Sequence, residues 1–73
     1  MSVVLFPTML RLPLPNPDEA LSIYPDGDAV EVNGFNFQRG FGWHVGRFPD
    51  WGSAMGGARA HWLEEAEMLG GAA

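Results

Sequence analysis

Val30-Glu31-Val32-Asn33-Gly34-Phe35-Asn36-Phe37 places an Asn-Gly pair between two runs that alternate apolar and polar residues. Asn-Gly is the strongest short hairpin signal, because both central residues of a type I′ turn need positive φ. A two-residue turn there pairs Val32 with Phe35, Glu31 with Asn36 and Val30 with Phe37. The four apolar side chains then share one face and the polar pair takes the other. Working backward, Pro25-Asp26-Gly27-Asp28 reads as a four-residue turn joining Tyr24 to Ala29. It pairs Ile23 with Val30 and Leu21 with Val32, again on one face. The expectation is an antiparallel meander at about 20–24, 29–32 and 35–39.

Outward from this centre the signals change. Leu10, Leu12 and Leu14 alternate with Arg11, Pro13 and Pro15, and proline cannot donate to a ladder. Residues 1–17 therefore read as an apolar, proline-rich arm or edge strand, with Val3–Phe6 a short strand of its own. Pro15-Asn16-Pro17-Asp18 is a turn or linker. In Phe41–Phe48, Phe41, Trp43 and Val45 alternate with Gly42, His44 and Gly46, which suits a fourth strand. Its glycines hint at a bulge, a bend or a close backbone approach. After Pro49 the period becomes helical. Met55, Ala58, Trp62, Ala66 and Leu69 make one stripe, Asp50 or Ser53 can cap it, and Gly70-Gly71 stops it. Gly56-Gly57 should loosen the first turn, so within 50–70 the helix is expected from about Ala58 to Leu69, with 71–73 frayed. The fold class is α+β: one domain, a three- or four-stranded antiparallel sheet with a C-terminal helix on one face. Its expected core is Leu21, Ile23, Val30, Val32, Phe35, Phe37, Met55, Trp62, Ala66 and Leu69.

The 73 residues carry a net charge of −5, with no cysteine and no lysine. The basic residues are Arg11, Arg39, Arg47 and Arg59. Apolar residues make up 47% and charged residues 18%, too apolar a mixture for a disordered tail. An acidic domain does not draw nucleic acid onto a broad basic face. The start lacks a basic n-region and is broken by Pro7, unlike a signal peptide. No run approaches the roughly 20 apolar residues of a membrane span, so the cytoplasm is the expected compartment.

Catalytic and metal motifs are weak. Ser53 is not in a nucleophile elbow, and no lysine serves a P-loop. His44 and His61 lack the further ligands zinc needs. The i,i+4 pair His61–Glu65 is ordinary helix chemistry. Asp26-Gly27-Asp28 lacks the later oxygens of a calcium loop. No enzyme, cofactor or metal site is expected. Arg39-Gly40-Phe41-Gly42-Trp43 matches the first half of an RNA-recognition signature, but His44 and Gly46 break the second half. The aromatic excess remains: Trp43, Phe48 and Trp51 crowd beside Arg39 and Arg47, and Trp, Tyr and Arg are common interface anchors.

The whole chain resembles the very small regulators that lytic bacteriophages make to capture host bacterial RNA polymerase. The resemblance lies in the length, the opening Met1-Ser2-Val3-Val4-Leu5-Phe6-Pro7, the lysine-free arginine usage and the compact α+β pattern. It implies a non-enzymatic protein that docks on the large polymerase subunits, interferes with sigma-dependent initiation and acts as an antiterminator in the host cytoplasm. An inhibitor of another host nucleic-acid enzyme, of anti-restriction or anti-CRISPR type, an antitoxin and an RNA-binding module are the alternatives. The residues themselves suggest the partner site: Val3, Val4, Leu5 and Phe6 offer a strand edge, and Arg39, Trp43, Arg47 and Phe48 offer anchors. Trp43 stands between core and interface. Arg47→Ala and Phe48→Ala are expected to leave the fold intact and weaken binding.

Overall fold

A computed structural model describes residues 9–70. They form β1 (Leu10–Pro13), β2 (Glu19–Asp26), β3 (Ala29–Asn36), β4 (Phe41–Phe48) and α1 (Trp51–Gly70). The four strands make one antiparallel sheet in sequence order, and α1 packs across one face. The alternating Leu10–Leu14 stretch supplies the edge strand. Val3, Val4, Leu5 and Phe6 lie outside the described residues, as do 71–73.

The meander stands, but its turns sit elsewhere. Asn33 and Gly34 lie inside β3, paired with Ser22 and Leu21 of β2. The second hairpin instead turns at 37–40. There the Asn36 carbonyl accepts the Gly40 N–H at 2.8 Å, its Oδ1 accepts the Arg39 N–H at 2.8 Å, and Gly40 takes φ 72°. Gly34 stays in the strand because Trp43 lies on it: a methyl group at Gly34 would meet the indole Cε2 at 2.1 Å. The first turn is shorter than expected. Asp26 pairs with Ala29 across Gly27-Asp28, and Gly27 at φ 64° holds the position where a type II′ turn takes glycine.

These shifts have unequal effects. In the β2–β3 pair, Ile23 faces Val32 rather than Val30. A slip of two residues preserves the face, so Leu21, Ile23, Val30 and Val32 are all buried. Removing the turn at Asn33-Gly34 inverts everything after it. Along an unbroken β3, Val30, Val32, Gly34 and Asn36 share the helix side and are buried, whereas Phe35 points to the other face. Phe35 and Phe37 are 41% and 50% exposed, outside the expected core.

In β4 a bulge restores apolar residues to the helix side. Val32 pairs with Gly46 and Asn33 with His44, leaving Val45 as the extra residue. One extra residue switches the phase of a strand. Trp43 and Val45 before the switch and Phe48 after it therefore all pack against the core.

The helix begins seven residues before Ala58, capped by Asp50, whose Oδ1 accepts the Ser53 N–H at 2.7 Å. Its contact stripe is Ala54, Gly57, Ala58, His61 and Glu65, rotated from the expected one. Ala54 and Ala58 are fully buried, whereas Met55, Trp62 and Leu69 are exposed. Small residues choose this face because α1 approaches the sheet closely. The Phe48 ring occupies the space a methyl group at Gly57 would take, its Cζ only 2.2 Å from that position. Trp62 lies at the margin and donates its indole N–H to the Pro13 carbonyl at 3.1 Å, tying α1 to β1.

Candidate functional site

The face of the sheet opposite α1 carries the candidate site. Pairing puts Arg11 of β1 beside Ser22, Ala20 beside Phe35, Tyr24 beside Glu31, and Asn33 beside His44 on this side. The face divides into a charged end and an aromatic end.

At the charged end, Arg47 donates to Asp26 Oδ2 and Glu31 Oε2, each at 2.7 Å. Glu31 Oε1 also bonds His44 Nε2 at 2.9 Å. The hydrogen bond from Arg47 holds the Glu31 carboxyl below the usual range, and Asp26 and Glu31 together raise the Arg47 guanidinium. Beside this cluster Asn33 donates to the Tyr24 hydroxyl at 2.7 Å. Arg47 is thus already engaged, and a partner acid would have to compete for it.

At the aromatic end an open groove of ≈ 530 Å³ runs between β1 and β4, lined among others by Met9, Arg11, Phe35 and Phe37. The Phe35 and Phe37 rings are 5.6 Å apart, and the Arg11 guanidinium lies 5.9 Å from the Phe37 centroid. Met9 is 47% exposed. An arginine stacked on exposed aromatics is hot-spot chemistry. No family model, curated protein or solved structure matches this chain.

The four expected anchors do not form one surface. Arg47 lies on the open face and Arg39 is exposed in the 37–40 turn. Trp43 and Phe48 lie on the helix side. Trp43 is half-buried against Gly34 and His61, with ring centroids of Trp43 and His61 6.1 Å apart. Phe48 packs on Gly46 and Gly57, so its truncation would damage the core and is no test of docking. The expectation that Phe48→Ala leaves the fold intact is thereby corrected. Phe41 and Trp43 are also on the wrong side for the RNA-recognition half-match, which needs its aromatics on the open face.

The residues that sequence reasoning missed as site residues are Phe35 and Phe37, which it placed in the core, together with Arg11, Met9 and Tyr24. The available signal was Asn36 followed by Arg39-Gly40, a second turn pattern later in the same run. Among the described residues no group of three His, Asp or Glu side chains is placed to hold a metal, and no helix is long and apolar enough to cross a membrane.

Proposed function

We propose that this chain is a non-enzymatic regulator that docks on the large subunits of host bacterial RNA polymerase. It blocks sigma-dependent initiation and lets elongating polymerase pass terminators. The resemblance to small phage regulators supplies the partner. One observation carries the docking reading: among the described residues a helix covers one face of the sheet, and the other face presents Phe35 and Phe37 at 41% and 50% exposure around a groove. Exposed aromatic surface of this kind marks an interaction site in a small domain. The surface suits a partner's apolar side chains.

An RNA-binding reading uses the same aromatics as a stacking platform. The −5 charge and the carboxylates of Asp26 and Glu31 on the same face weigh against it, since phosphate contacts dominate such affinity.

The test is transcription with purified components. Adding the chain to sigma-bound polymerase before promoter DNA should reduce run-off product. Adding it to elongation complexes should raise readthrough at a terminator. Unchanged product in both assays at micromolar chain contradicts the proposal.

A further inference from the structure

On the helix side, a second groove of ≈ 380 Å³ opens between the start of β4 and the far half of α1. One wall is aromatic: the Phe41 and Trp43 rings lie 5.8 Å apart and tilted by 43°. Met68 and Leu69 form the opposite lip, 72% and 55% exposed. The rim is acidic, with Glu19, Glu64 and Glu65. Among the described residues the ion pairs are those of His44 and Arg47, both on the other face of the sheet. His61 also lines the groove, and among the described residues neither it nor any arginine forms an ion pair with these carboxylates.

We propose that this groove seats an arginine or lysine side chain from a basic segment of a protein partner. The aliphatic stem would lie along Phe41 and Trp43, and the cationic head would meet Glu19 and Glu65. Each part of the groove favours that occupant. A neutral apolar side chain would strip water from the carboxylates without replacing their hydrogen bonds. An anion is repelled. A cation on a carbon stem satisfies the acids and stacks on the indole, the best of the aromatic faces for this contact. The acids already crowd one another. Burial, and then hydrogen bonding with Glu19, push the Glu65 carboxyl above its usual range. Glu19 is held in place from behind by the buried Asn36, which donates to its Oε2 at 3.0 Å. A bound cation would relieve that crowding.

This surface is separate from the open sheet face, and its test needs no polymerase. The isotope-labelled chain is titrated with Ac-Leu-Arg-Arg-Leu-NH2 and with the same peptide carrying citrulline, the uncharged isostere of arginine. The arginine peptide should shift the Trp43 indole N–H and the amides around Glu65 saturably, and the citrulline peptide should bind roughly three- to tenfold more weakly. Glu65→Gln should weaken arginine-peptide binding by a similar factor while the melting temperature holds or rises. Asp28→Asn, an acid in the distant first turn, should leave binding unchanged. Equal binding of the two peptides, or equal loss in Glu65→Gln and Asp28→Asn, would overturn the proposal. So would a Glu65→Gln chain that melts earlier yet binds as before.

Discussion

Gly56 and Gly57 are neighbours in α1, yet a methyl group added to each meets different surroundings. At Gly56 nothing lies within 4 Å; at Gly57 the methyl would overlap the Phe48 ring. Alanine is favoured over glycine in a helix interior by about 1 kcal/mol. Gly56→Ala should therefore stabilise the chain by up to about that amount. Gly57→Ala should destabilise it by roughly 1–3 kcal/mol, because overpacking a tight contact outweighs the propensity gain. Urea denaturation midpoints check both, and stabilisation by Gly57→Ala would contradict the packing of Phe48. Gly34 belongs with Gly57: each lacks a side chain so that an aromatic ring can fill its place. That explains why the Asn33-Gly34 pair misleads. As a local signal it demands a turn, but the indole of Trp43, distant in sequence, keeps Gly34 in a strand.

At the element scale, much of the fold was legible because strand faces depend on parity. Leu21, Ile23, Val30 and Val32 were readable as core from alternation, and the two-residue error in their register left the face intact. Phe35 and Phe37 were not, because a misplaced turn inverts every residue beyond it. The bulge at Val45 was hinted at by its glycines, but its consequence was unreadable. Whether Phe48 is core depends on one extra residue in the ladder. The helix stripe was partly misread for another reason: Ala58 is buried and Ala66 half-buried as expected, but size suggested Met55, Trp62 and Leu69, whereas the close approach selects Ala54 and Gly57.

The helix cap gives a prediction with a defined sign in pH. The Ser53 N–H holds the Asp50 carboxyl below its usual range, as Arg47 holds Glu31. Such groups stabilise the fold above their unfolded pKa, and the contribution is lost as pH falls through the lowered folded value. Glu65 has the opposite sign. Its raised pKa means that the folded chain takes up the proton first, so stability rises as pH falls into that range. The melting temperature should hold or rise slightly as pH drops from neutral to the upper carboxylate range, then fall below it. Asp50→Ala should lower the melting temperature at neutral pH by removing the cap and flatten the acid fall. A steady decline beginning at neutral pH in thermal melts would contradict these assignments.

Across the whole molecule, chemistry is divided between two sides. The open sheet face carries Arg11, exposed aromatics and an Arg47 held by Asp26 and Glu31, and the helix side carries an aromatic groove rimmed by Glu19, Glu64 and Glu65. The candidate site was half legible: a surface of aromatics and arginine was expected from composition and Arg47 does lie on the open face, but Phe35 and Phe37 were not readable, because the side of each strand residue is set by the 37–40 turn and the bulge. In the proposed function a partner docks on the open face through Phe35 and Phe37. Both are exposed, so Phe35→Ser with Phe37→Ser should leave the amide spectrum dispersed. The decisive measurement is the affinity of that double variant for purified bacterial RNA polymerase beside the unaltered chain. Affinity should fall at least about tenfold, the size of one hot-spot truncation or more. A folded double variant that binds polymerase as tightly as the unaltered chain would contradict it.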